Sequence, residues 1–316
     1  MYYLGIDLGG ISIKSAVVDE QGHILGRSRI LTPQTGAPDV ARVMAQCARQ
    51  AAETAGIGME EIVSAGIGSP GTVDPERGRV EYWSNLNFLH VPLVALLREH
   101  LDLPIYLEND ANAAALGEYI AGAGRGSRSM IAITLGTGVG GGAVLGGKLY
   151  TGFNHAGLEV GHFVVEHGGR RCTCGRRGCF ETYASGAALG RRAREEMERH
   201  PESMLWQETG GNIDKVEGTT VFVTARKGDP TACALLREYQ DYLACGIASL
   251  INIFQPELFC VGGGVSEEGD FLFDRVKQLV DEQDYARHST ERTRIVTAQL
   301  ENDAGLIGAA LLPLYL

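Results

Sequence analysis

The stretch LGIDLGGISIKSAVVD, residues 4–19, decides the fold. Leu4, Ile6 and Leu8 alternate along a strand that runs into Gly9-Gly10. Residues 13–19 are again β-rich, Gln21-Gly22 reads as a turn, and residues 23–30 extend once more. The pattern is strand, glycine turn, strand, tight turn. It returns at Ile133-Thr134-Leu135-Gly136-Thr137, followed by a β-rich stretch and Gly146-Gly147. A duplication of this kind predicts two similar lobes facing a cleft.

Working outward, strands alternate with helices, which indicates α/β architecture. Val40, Val43, Met44 and Cys47 have helical spacing within residues 38–55, and Gly56 closes that helix. Residues 62–68 read as a buried strand, 92–100 as a short helix, 105–108 as a strand and 111–121 as an Ala-rich helix. A second strand set begins at 130–135. Helices are predicted at 187–199, 221–227, 230–254, 271–283 and 305–312, with strands at 258–261 and 293–298. Residues 202–217 are polar and contain glycine, so a mobile surface connection is expected there.

The chain has 316 residues, 44% of them hydrophobic, enough for a sizeable core in two lobes. No apolar run reaches the ~18 residues that span a bilayer. The N-terminus has no basic region ahead of its apolar stretch, so a cytoplasmic protein with no membrane partner is expected. A formal net charge of −11 argues against non-specific binding to nucleic acid, which depends on Lys and Arg patches. Cys47, Cys233, Cys245 and Cys260 stand singly in apolar contexts and read as free thiols of a reducing compartment.

Three glycine turns follow buried strands, at Gly9-Gly10, Gly136 to Gly138 and Gly262-Gly263-Gly264. Glycine lets the backbone approach an anion, so converging N–H groups can cradle phosphates. The GxxxxGK[ST] pattern is absent, as is a GxGxxG placed to open a helix. Glu108-Asn109-Asp110 joins a strand to a helix, where α/β sheets bind ligands. Asp110 reads either as a base for a hydroxyl proton or as a helix N-cap. Cys172, Cys174 and Cys179 lie within eight residues, with His162 ten residues upstream. Three thiolates and an imidazole suit a structural zinc site; a disulfide or free thiols are the rivals, and His155 and His167 are also nearby. Glu159 and Glu181 bracket that segment, either as surface carboxylates or as groups that read sugar hydroxyls.

Together these residues resemble the ROK family of sugar kinases and sugar-responsive repressors, within the actin-like ATPase superfamily. The carrying segments are Asp7-Leu8-Gly9-Gly10, Gly68-Ser69-Pro70-Gly71, Glu108-Asn109-Asp110-Ala111-Asn112, Leu135-Gly136-Thr137-Gly138-Val139-Gly140, the run from His155 to His162, CTCGRRGCFET (172–182) and Val261-Gly262-Gly263-Gly264. They occur in family order over essentially the whole chain. The resemblance implies a two-lobed actin-like ATPase (ribonuclease H-like) fold with a nucleotide and sugar cleft between the lobes. The smaller lobe would be residues 1–119 completed by 303–316, and the larger 120–302 with the zinc loop. It implies an ATP-dependent hexose kinase, glucose to glucose 6-phosphate being the leading expectation, with Asp110 as catalytic base. Asn85, Asn109, Glu159, His162 and Glu181 would hold the sugar, with Gly71 near it. His162 would serve again as a zinc ligand with Cys172, Cys174 and Cys179. Asp7 and Gly10 would sit by Mg²⁺ and the phosphates of ATP, with Gly9 and Lys14 in the same set. Gly136, Thr137 and Gly138 would meet the phosphates, and Gly263 and Gly264 the adenosine. A homodimer is expected by analogy.

Two positions depart from the family pattern: Ile11 stands where Thr is usual, and Phe88 where glucokinases commonly carry Trp. N-acetylmannosamine, N-acetylglucosamine, fructose and allose are the alternative substrates. A sugar-sensing repressor would carry a winged-helix module before the first glycine-rich strand, which here begins at Tyr3. A sugar-binding protein without catalysis would have lost the base, and Asp110 is present.

Overall fold

The computed structural model describes residues 1–315; Leu316, the last residue of the expected closing segment, lies outside them. In chain order the elements are β1 (Tyr2–Leu8), β2 (Ser12–Asp19), β3 (Ile24–Leu31), α1 (Ala37–Ala55), β4 (Ile62–Ser69), β5 (Thr72–Asp74), β6 (Arg79–Trp83), β7 (Phe88–Val91), α2 (Leu93–Arg98), β8 (Ile105–Asn109), α3 (Asp110–Ala121), β9 (Ser129–Leu135), β10 (Val139–Leu145) and β11 (Lys148–Tyr150). They continue with α4 (Glu181–Ala184), α5 (Gly186–Arg199), α6 (Leu205–Glu208), α7 (Gly218–Arg226), α8 (Pro230–Phe254), β12 (Leu258–Gly262), α9 (Asp270–Gln283), β13 (Arg294–Thr297) and α10 (Ala304–Leu311). Two compact units result. One holds residues 1–132, 141–158 and 298–316, the other 133–140 and 159–297.

In the first unit, a sheet of the order β3-β2-β1-β4-β8 has β1 antiparallel to β2 and parallel to β4, with β8 parallel to β4. Period-two alternation splits β1 between two faces. Leu4, Ile6 and Leu8 pack with Val40, Met44, Cys47 and Ala48 of α1. Tyr3 packs on the other side with Leu306, Ile307 and Ala310 of α10. That side is built from small residues so that backbones can touch. A Cβ on Gly308 would lie 1.7 Å from the carbonyl oxygen of Ala113, so α10 and α3 meet backbone to backbone there. Glu118 of α3, 3% exposed, ties the segment before α10 to the same helix. Its carboxylate accepts the N–H groups of Ala123 (2.9 Å), Gln299 (3.0 Å) and Leu300 (2.7 Å). A small antiparallel sheet, β5-β6-β7, completes this unit and was not anticipated from the sequence.

A second large sheet has the order β11-β10-β9-β12-β13, with β12 parallel to β13. Helices α4 to α9, of which α8 is the longest at 25 residues, fall in the second unit. Asp229 starts that helix: its carboxylate accepts from Ala232 N–H (2.8 Å), the Ser203 hydroxyl (3.1 Å) and Met204 N–H (2.8 Å). These bonds account for a departure from expectation. Residues 202–217 are tied down, because Asp229 anchors Ser203 and Met204, α6 follows, and the Trp206 indole N–H donates to the Met197 carbonyl at 3.0 Å. Among the described residues, no helix is long and apolar enough to cross a membrane.

Candidate active site

β8 runs into α3 at Glu108-Asn109-Asp110. The helix cap is Asn109, whose side-chain oxygen accepts from Ala111 N–H (2.9 Å) and Asn112 N–H (3.2 Å). Asp110 is therefore the first residue of the helix and not its cap. It is partly exposed, and its Oδ1 accepts from Ala111 N–H at 2.9 Å. Asn109 also donates its side-chain N–H to the Gly71 carbonyl at 3.1 Å. Gly71 lies at φ +82°, and a Cβ there would fall 2.1 Å from the Tyr82 carbonyl oxygen, so only glycine fits this turn.

Glu108, just before these residues, is fully buried. Its Oε1 accepts from Asn109 N–H (2.8 Å) and from the Asn112 side-chain N–H (3.0 Å). Burial pushes its carboxyl above the usual carboxylate range, while the bonds from Asn112 and Asn109 pull the other way. Sequence reading named Glu108 only as part of a motif; nothing in its local spacing signals that burial.

At the β1–β2 hairpin, Asp7 and Lys14 are register partners, and the Lys14 ammonium lies 3.2 Å from the Asp7 carboxylate. Gly9 N–H donates to the Ser12 carbonyl (3.1 Å), which closes the turn, and the Ile11 side chain stands 78% exposed at its tip. Asn85 lies beside Gly10: a Cβ there would be 3.4 Å from the Asn85 amide nitrogen. Phe88, by contrast, is buried edge-on against Trp83, with ring centroids 5.7 Å apart.

In the second unit, the Gly136–Gly138 turn and Glu181 meet directly. The Glu181 carboxylate accepts Val139 N–H at 3.1 Å, and a Cβ on Gly138 would lie 2.5 Å from the same oxygen. Glu159 is exposed, one turn before His162. Gly136, Thr137 and Gly264 line a cavity of about 630 Å³, a volume typical of small-ligand sites. Its other walls come from α5 and α7, through Gly186, Gly190, Arg191, Arg194 and Phe222 among others. Those helix residues escaped sequence reading, because nothing in their spacing shows that α5 and α7 wall one cavity. Gly263 does not line the cavity. It sits at φ +85°, where a Cβ would be 2.4 Å from the Leu135 carbonyl oxygen.

The cysteine segment brings together the predicted four side chains. One ligand atom from each of His162, Cys172, Cys174 and Cys179 lies within 4.8 Å of the others. Cys174 and Cys179 sulfurs are 3.7 Å apart, as are Cys172 Sγ and His162 Nδ1. Zinc–sulfur bonds of about 2.3 Å at tetrahedral angles put sulfurs ~3.8 Å apart, so the donor set fits that ion. It does not fit a disulfide, whose sulfurs lie about 2.05 Å apart. Arg170 fastens the loop to α8, with its guanidinium 4.4 Å from the Tyr183 ring centroid and paired with Glu238.

A family model described as the ROK family matches residues 3–314. The chain is 40% identical over 309 residues to a glucokinase of Streptomyces coelicolor, covering 97% of this chain and 96% of that one. It is 39% identical over 310 residues to a glucokinase of Thermotoga maritima, covering 97% and 95%. Among solved structures, a ROK family glucokinase from Streptomyces griseus in complex with glucose and AMPPNP superposes with a TM-score of 0.82 at 38% identity, covering 99% of both chains.

Proposed function

Because the chain belongs to the ROK family, we propose that it is an ATP-dependent hexose kinase that phosphorylates glucose to glucose 6-phosphate. The observation that carries the residue assignment is the Asn109 cap: α3 is capped without Asp110, which stands at the end of a sheet strand. Asp110 accepts the proton of the attacking sugar hydroxyl as that oxygen bonds to the γ-phosphorus and ADP departs. A hydroxyl is a weak acid, so removing its proton as the new bond forms lowers the barrier.

Asn85, Asn109, Glu159, His162 and Glu181 read the sugar hydroxyls, with Gly71 alongside. Asn109 does so through one N–H, because its oxygen caps α3 and its other N–H is bonded to Gly71. Glu181 is oriented by its bond from Val139 N–H. The N–H groups around Gly136, Thr137 and Gly138 take the phosphates, and the cavity they share with Gly264 takes the nucleoside. Asp7, with Gly9, Gly10 and Lys14, is the place for Mg²⁺ and the phosphates; the ion neutralises charge on the transferring group when bound. His162, Cys172, Cys174 and Cys179 hold zinc, which orders the loop that carries Glu159 and Glu181. A cytoplasmic homodimer is part of the same proposal.

The test is a coupled ADP-release assay on the purified protein across glucose, fructose, allose, N-acetylmannosamine and N-acetylglucosamine. Glucose is expected to give the highest kcat/KM. If no sugar raises ADP release above sugar-free hydrolysis, the kinase reading is wrong; a preference for an N-acetylhexosamine replaces glucose and keeps the reaction.

A further inference from the structure

Glu108 is a fully buried carboxyl group that the reaction above does not use. It sits in β8 on the same sheet face as Tyr106, turned toward the α10 side, while Ile105 and Leu107 belong to the core under α1. Its two oxygens are treated differently. Oε1 accepts two hydrogen bonds, from Asn109 N–H and the Asn112 side chain. Oε2 is buried and has no hydrogen-bond partner, and the side-chain oxygen of Asn112 is likewise buried and unpartnered. Two orphan acceptors thus belong to two side chains already joined at 3.0 Å. Buried acceptors left without a hydrogen are costly, and two side by side point to a hydrogen between them.

The surroundings offer a carboxylate little compensation. The charged and titratable groups around it are His155, whose charge would favour ionisation, Asp110 two residues on, and Asp7, which is already paired with Lys14. Asp7 lies in the same row of the sheet, across Gly68, about 10 Å away by strand spacing. β4 contributes only Gly68 at that level, and α10 (AGLIGAAL) contributes no charge. Among the described residues, no Lys or Arg forms an ion pair with Glu108. A buried carboxyl without a paired cation neutralises instead of staying charged.

We propose that Glu108 is carried in the fold as a neutral carboxylic acid, with its proton on the orphan Oε2, and that it acts as a positioning residue for Asp110. The bonds from Oε1 hold Asn109 and Asn112, the residues on either side of the Asp110–Ala111 pair. Neutrality matters as much as position. A second negative charge two residues from Asp110 would oppose approach of the anionic phosphates to the sugar hydroxyl. The part concerning Asp110 rests on the kinase reading; the protonation state does not.

The experiment compares wild type with E108Q and E108A. Gln keeps an oxygen for Asn109 and Asn112 and supplies an N–H where the acid carries its proton. A carboxyl whose folded pKa is raised stabilises fully below the unfolded value and loses that contribution as pH rises toward the folded value. Wild type should therefore lose stability relative to E108Q as pH climbs above the ordinary carboxylate range, by about tenfold in unfolding constant per pH unit. Urea unfolding from about pH 5 to 8 reads this without any turnover. In the kinetic arm, E108A should lower kcat about tenfold or more, E108Q should restore it, and the acid limb of the kcat profile should stay in place. A wild-type to E108Q difference that is flat with pH overturns the proposal. So does an acid limb that moves to lower pH in E108Q, since that would report removal of a real charge beside Asp110. Failure of the hexose panel leaves the unfolding arm intact, so the two ideas fail separately.

Discussion

Replacing Asp110 by Asn separates the two jobs that an aspartate at this position can do. The substitution keeps the side-chain volume and keeps an oxygen for the Ala111 N–H, now bonded at 2.9 Å. The cap of α3 is untouched, because it belongs to Asn109 through bonds of 2.9 and 3.2 Å. Weakening that local bond costs about 1 kcal/mol or less. What is lost is proton acceptance. A positioned general base contributes about 10²–10⁴-fold, or about 3–5 kcal/mol of barrier at roughly 1.4 kcal/mol per decade. D110N should therefore lower kcat by two to four decades while its urea midpoint stays near wild type. Asn109→Ala is the mirror experiment. It removes the cap and the bridge to Gly71, so stability should drop by about 1–2 kcal/mol. The assay is ADP release with saturating glucose and ATP, alongside denaturation of the same preparations. D110N with kcat within tenfold of wild type would refute the reasoning. So would a kcat loss matched by a proportional loss of folded protein, since Asp110 would then be structural.

Two further outcomes are expected. Metal analysis of the purified protein should find about one zinc per chain, and Cys174→Ser should lower that content and the melting temperature together; full zinc content in C174S would remove Cys174 from the ligand set. Glu118→Ala strips three backbone N–H groups of their shared acceptor and should cost roughly 3–5 kcal/mol by urea denaturation; a loss below about 1 kcal/mol would mean that water replaces the carboxylate.

How much of this was legible in advance depends on how local the cause is. The glycine turns after β1, β9 and β12 and the helices α1, α3 and α8 depend on neighbours within a few residues, so spacing alone reveals them. The cysteines of the donor set, Cys172, Cys174 and Cys179, were legible for the same reason, since they lie within eight residues. The choice of His162 over His155 and His167 was not fixed by spacing; the fold made it. Residues 202–217 misled because polarity and glycine suggest a loose segment, yet Asp229, more than twenty residues on, supplies the anchor.

By itself, the order of residues determined the α/β class, the duplicated glycine turns, the cysteine cluster and the Glu108-Asn109-Asp110 junction. These follow from periodicity, from backbone freedom and from the chemistry of side chains close in the chain. Only the tertiary structure decided that Asn109, not Asp110, caps α3, that Glu181 rests on the Gly136–Gly138 turn, that α5 and α7 wall the cavity beside it, and that Glu108 is sealed from water. Burial and hydrogen-bond partners at such distances depend on which surfaces pack together. A carboxylate at a strand end reads the same in sequence whether it meets solvent or the inside of a sheet.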